Sequence, residues 1–208
     1  MHIYIFGSVC RGDITIDSDV DLLAATEGHD ERLNATTYSI YSYDRLKEIW
    51  LEGNPFAWHL HLEAKLVYSD DGSDFLLSLG SPAQYSEKEK DCLRFMKLFA
   101  SSKKALAQET NSQVFELSTI FLAVRNFATC YSLGELDTPD FSRRSALRLG
   151  DKSAPIDEAD FSIFERARIL CTRGEGGNIS PEEVAAALKA IPAIDHWMSQ
   201  LLEIRLDA

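Results

Sequence analysis

The sequence predicts an α+β protein in which a small mixed β-sheet domain is followed by an all-α helical bundle domain. Three observations predict it. Up to about residue 80, short segments rich in β-branched and aromatic residues alternate with turn residues and two brief helical patterns; beyond that point strand-like alternation stops and apolar residues recur at helical spacing. Charge is divided in the same place: residues 1–80 hold 5 Lys and Arg against 14 Asp and Glu, whereas residues 81–208 hold 16 against 19. Between them, LGSPAQ at 79–84 supplies the Gly, Ser and Pro of a boundary. The expected domains are therefore 1–80 and 81–208.

The first element, HIYIF at 2–6, is a strand that ends at Gly7. DVDLLAA at 19–25 is a second strand, and its apolar run after Asp21 places it centrally in a sheet. TTYSIYSY at 36–43 alternates and predicts a third strand. DRLKEIWLEG then carries Leu46, Ile49 and Trp50 at helical spacing and stops at Gly53. NPFAWHLHLEA restarts a helix, with Asn54 as cap and Pro55 at its first position. KLVYS at 65–69 is a short strand followed by the turn DDGS. Helical patterns follow near 85–107, 112–133, 155–172, 180–189 and 192–206. The start at Ser180 has Pro181 next and Glu183 three residues on, the arrangement of a capping box.

The chain of 208 residues is long enough to bury a core without disulfide or metal staples. A net charge of −12 repels polyanions, which disfavours general nucleic-acid binding and anionic membrane surfaces. Cys10, Cys92, Cys130 and Cys171 form no short pair of the kind that holds zinc or exchanges disulfides, and are expected to be reduced. No basic leader, cleavage site or span-length apolar run occurs, so a cytoplasmic location is expected.

The chemistry concentrates in residues 7–21, GSVCRGDITIDSDVD. On a strand, Asp19 and Asp21 project to the same side with Cα atoms roughly 7 Å apart. Two carboxylates so placed converge on a shared cation; without one they repel each other. Hard oxygen ligands at this spacing suit Mg²⁺, which keeps several waters and bridges protein carboxylates to substrate phosphates. Gly7 lets the backbone turn and approach a ligand, Ser8 offers a hydroxyl at the start of a short helix, and Arg11 adds a cationic fork.

Gly7-Ser8, Arg11-Gly12, then Ser18-Asp19-x-Asp21-Leu22 resembles the signature of the DNA polymerase β-type nucleotidyltransferase superfamily, in particular its minimal and kanamycin-nucleotidyltransferase-like branches. The resemblance implies that Gly7, Ser8, Arg11 and Ser18 bind the nucleotide, Ser8 holding the triphosphate. It implies that Asp19 and Asp21 are catalytic and bind Mg²⁺, organising attack at the α-phosphate with pyrophosphate as leaving group. The donor is expected to be ATP or another NTP, and the acceptor a hydroxyl of a small molecule. A hydroxyl of a partner protein, as for antitoxin-type members, is the alternative acceptor, and a nucleotide-binding regulatory module with weakened turnover is the alternative function. The family usually supplies a third carboxylate from a neighbouring strand, and TTYSIYSY has none; Asp44, Glu63 or no residue takes its place. The helical domain is expected to bind the acceptor or to pair as a homodimer.

Other motifs carry bland readings. His59 and His61, two apart on a helix, face different ways and are read as structural. Arg143, Arg144, Arg148, Arg166, Arg168 and Arg173 are read as helix-surface charge. Arg125, followed by Asn126 in an apolar helix, is read either in the same way or as a cation that meets phosphate between the domains. Phe115, Phe121 and Phe127 are read as core.

Overall fold

The computed structural model describes residues 1–14, 19–108 and 112–203. Two compact units divide the chain, Met1–Ser86 and Glu87–Ala208. The first is a mixed sheet with helices on one face, and the second is all-helical.

In the first unit β1 (His2–Phe6), α1 (Ser8–Arg11), β2 (Asp21–Thr26), β3 (Tyr38–Ser42), α2 (Tyr43–Leu51), α3 (Pro55–Glu63), β4 (Lys65–Ser69) and α4 (Phe75–Ser78) follow in order. The sheet order is β3-β2-β1-β4, with β1 antiparallel to both neighbours and β2 parallel to β3. Alternation sends Tyr4, Phe6, Leu23 and Ala25 to one face, where they pack with Leu46, Ile49, Trp50, Ala57 and Leu60 of α2 and α3. Each such fully buried large side chain contributes about 2 kcal/mol, which fixes the helices to that face. Tyr4 is also tied by its hydroxyl, which donates to Asp74 at 3.0 Å and accepts from the Leu76 amide at 2.9 Å. Helix starts follow their caps: Ser42 accepts from the Arg45 amide, and Asn54 from the Phe56 amide with Pro55 at the first position.

The second strand is shorter than the sequence predicts. Phe6 opposite Asp21 is the last pair of β1 and β2, and Gly7, at φ 77° and ψ −146°, turns the chain out of the sheet into α1. Nothing of β1 remains to pair with Val20 and Asp19, so the ladder begins at Asp21. The third strand likewise loses Tyr43, which opens α2 instead.

The second unit contains α5 (Lys88–Ala107), α6 (Gln113–Glu135), α7 (Glu158–Arg173) and α8 (Pro181–Glu203). Helix α6 is buried on several sides and packs against the other three. Phe121 meets Phe161 and Phe127 meets Trp197 within its core, whereas Phe115 is exposed and departs from the core reading. Lys88 is buried at the foot of α5, where its ammonium pairs with Glu135 and lies over the Tyr131 ring. Arg125 donates to the carbonyls of Phe141 at 2.6 Å and Ser142 at 3.3 Å and to the Asn126 side chain, so it anchors the loop that follows α6.

The capping box forms: Ser180 N–H donates to Glu183 at 2.8 Å and Glu183 N–H donates to Ser180 Oγ at 3.2 Å. The two helices predicted at 180–189 and 192–206 are one, running through Pro192. Proline removes one backbone hydrogen bond. The buried face of Val184, Ala187, Ile191, Ile194, Trp197, Met198 and Leu201 continues across it and holds the helix together. No described helix is long and apolar enough to cross a membrane.

Candidate active site

The candidate residues gather where β1 ends and β2 begins. Gly7 occupies a backbone region reserved for glycine, and a Cβ placed on it would lie 2.2 Å from Asp21 Oδ2. The Asp21 carboxylate thus fills the space that a side chain at position 7 would take. After the turn, the Gly7 carbonyl accepts from the amides of Cys10 and Arg11 at 3.1 and 3.2 Å, which closes the single turn of α1. Gly12, in the left-handed region, ends it.

Ser8 sits on that turn, and its hydroxyl is buried without a hydrogen-bond partner among the described residues. A buried hydroxyl left unpaired costs about 1–3 kcal/mol, so a ligand oxygen that accepts from Ser8 would be favoured by that amount. Asp21 is half-buried and Asp19, two residues ahead of the strand, is exposed. Asp19 therefore does not owe its direction to strand alternation. Ser18 lies outside the described residues.

Arg11 is engaged at two of its nitrogens. Its Nη1 donates to Glu63 Oε2 at 2.5 Å and its Nε to Asp13 Oδ2 at 3.4 Å. The same Glu63 oxygen accepts from His59 Nε2 at 2.9 Å, one helical turn back on α3. The Glu63 side chain is 11% exposed, a half-buried acid shared by the Arg11 guanidinium and the His59 ring. The His59 ring stands edge-on to Phe6, 5.4 Å away, while His61 is exposed beside Trp58. Next to this cluster Cys10 donates to the Ile5 carbonyl at 3.4 Å, and burial pushes its thiol pKa up.

The residues considered for the third carboxylate part company here. β3 carries Tyr38, Ser39, Ile40, Tyr41 and Ser42 and supplies no acid. Asp44 follows Ser42, which pairs with Thr26, whereas Asp21 begins β2; strand rise puts about 16 Å between those two ends. Asp44 is 87% exposed and paired with Lys47. It lines a pocket of about 910 Å³ at that remote end, with His2, Thr26, Tyr43, Asp70 and Asp71. Glu63 is at the correct end but beside Arg11. Among the described residues no group of three or more His, Cys, Asp and Glu side chains converges to hold a metal.

The donor set nevertheless suits a magnesium–phosphate ligand. Magnesium is held through one or two carboxylates together with substrate phosphates and waters, so two aspartates meet its needs. The Ser8 hydroxyl, without a partner among the described residues, offers the donor that a phosphate oxygen requires, and the fit of Asp21 over Gly7 holds a carboxylate beside it for the ion. The structure brings the sequence candidates Gly7, Ser8 and Asp21 together and adds a contact that sequence reasoning does not foresee, the Arg11–Glu63–His59 cluster. Only the four-residue spacing of His59 and Glu63 signalled any part of it.

Residues 2–79 match the family described as nucleotidyltransferase domain. The first unit thus carries an N-terminal nucleotidyltransferase domain of the polymerase β superfamily. No curated protein matches the chain.

Proposed function

We propose that the protein is a magnesium-dependent nucleotidyltransferase that moves a nucleoside monophosphate, AMP when ATP is the donor, onto a hydroxyl acceptor. One observation carries the reading: within a nucleotidyltransferase domain, a glycine closed over by the Asp21 carboxylate stands next to a buried hydroxyl that has no hydrogen-bond partner among the described residues. In this reading Ser8 Oγ donates to a triphosphate oxygen and so recovers its missing hydrogen bond. Asp19 and Asp21 hold Mg²⁺, with Gly7 keeping the backbone low enough for the ligand to come close. When bound, the ion offsets phosphate charge and stabilises the attacking and leaving oxygens. The acceptor oxygen bonds to the α-phosphorus, the α–β anhydride bond breaks, pyrophosphate leaves and the hydroxyl proton is released.

A second reading has its own support. Because β3, the neighbour of β2, presents no carboxylate, the domain is also suited to bind nucleotide without turnover. Labelled ATP, Mg²⁺ and panels of small hydroxylated compounds and of proteins separate the two and identify the acceptor class. Pyrophosphate release that vanishes in Asp19→Asn and Asp21→Asn supports transfer, and nucleotide uptake without release supports the binding module. Calorimetry that detects neither cation nor nucleotide refutes both. Ser8→Ala is expected to weaken triphosphate binding about tenfold, the cost of one charge-assisted hydrogen bond, and to leave acceptor binding unchanged.

A further inference from the structure

We propose that Glu63 is a positioning residue for the triphosphate: it fixes Arg11 so that the guanidinium presents its remaining donors beside Ser8. The inference rests on the nucleotide-binding reading above and adds a residue to that site. Ser8 and Arg11 are three apart on α1, so their side chains are neighbours on one face. A guanidinium is a rigid plane with five donors. Holding Nη1 against Glu63 and Nε near Asp13 leaves Nη2 as the edge that no described residue engages. The direction of that edge is set by the two that are held.

Glu63 is well placed to hold it. From described residues it accepts on Oε2 one hydrogen bond from Arg11 of α1 and one from His59 of its own helix. His59 in turn leans on Phe6, the residue before Gly7 and the pairing partner of Asp21. The cluster therefore links α1 and the end of β1 to α3 through side chains. The Arg11–Glu63 pair is partly shielded from water, so it gives up hydration that an apolar pair would not, a cost that a use beyond stability would offset. Orienting a phosphate donor is such a use. The two acids beside Arg11 oppose a free phosphate group, and a polyphosphate that brings its own Mg²⁺ meets less of that opposition while still using the guanidinium as donor.

The test is titration calorimetry on the full chain with ATP and with AMP, each with Mg²⁺, for wild type, Glu63→Gln, Arg11→Lys and the double variant. Glu63→Gln and Arg11→Lys are each expected to weaken ATP about tenfold and to leave AMP within about twofold. The double variant is expected to be no worse than the weaker single, because both remove one contact. Glu63→Asp, which keeps the charge but shortens its reach, is expected to show the same ATP-selective loss to a smaller degree, and serves should Glu63→Gln not fold. Equal loss of ATP and AMP would mark Glu63 as structural only and overturn the proposal. So would Glu63→Gln and Glu63→Asp binding ATP as wild type does, with the nucleotide reading intact. Wild type that binds no ATP would remove the nucleotide reading and this inference with it.

Discussion

Replacing Gly7 with alanine tests the geometry on which the site stands, and Gly12→Ala is its internal control. Both glycines have φ 77°, but Gly12 has ψ 10° and nothing within 4 Å of an added Cβ, whereas Gly7 has ψ −146° and an Asp21 oxygen at 2.2 Å. Alanine at position 12 meets only left-handed strain, about 1 kcal/mol. At position 7 it meets a region that only glycine enters freely, about 1–3 kcal/mol, and must also drive the Asp21 carboxylate aside, for a total of about 3 kcal/mol. Since 1.4 kcal/mol is a factor of ten, local opening at the start of β2 should rise about 100-fold in Gly7→Ala and about fivefold in Gly12→Ala. Hydrogen exchange of the β2 amides followed by mass spectrometry reads this ratio. ATP uptake should be lost in the first variant and kept in the second. Equal acceleration in the two would show that the approach of Asp21 to Gly7 carries no weight, and the assembly of the site would need another basis.

Three further outcomes are expected. Ser180→Ala should cost the second unit about 1 kcal/mol through loss of its cap, seen as a lower thermal midpoint. The Ser180 amide, and then Arg166, hold the Glu183 carboxyl below its ordinary pKa. This contribution is therefore complete above the usual carboxylate range and fades as pH falls through the lowered value, so Glu183→Gln should narrow the difference between midpoints at pH 7 and pH 3. Alkylation by iodoacetamide at pH 8 should modify exposed Cys171 first and half-buried Cys10 slowly, while Cys92, whose thiol burial pushes well up, and Cys130 react only in denaturant. Native labelling of Cys92 at the rate of Cys171 would contradict the packing of α5 against α6.

What was legible in the sequence was what neighbouring residues decide. Asn54-Pro55 and Ser180-Pro181 announce helix starts because a cap and its recipient lie two or three residues apart, and both caps form. HIYIF and the apolar run after Asp21 announce the two middle strands. What was not legible depends on distant partners. Asp19 falls outside β2 because the length of that strand is set by β1, which leaves the sheet at Gly7. Pro192 does not break α8, because the core on either side outweighs one lost hydrogen bond. The meeting of Arg11 with Glu63 joins residues 52 apart in sequence, and no local pattern encodes it. In the candidate site, a motif singles out Gly7, Ser8 and Asp21, whereas the packing of the Asp21 carboxylate over Gly7 is visible only in three dimensions.

The strand order has a dynamic corollary. Each of β1 and β2 is flanked on both sides, so fraying at either rim of the sheet removes β3 or β4 before it touches the hairpin that carries Gly7 and Asp21. The carboxylate end is thereby anchored in the slowest-opening part of its unit. Any adjustment on ligand arrival falls to the short helix beside it, which is tied to the hairpin by one turn of backbone and the Cys10 thiol and to α3 through Glu63.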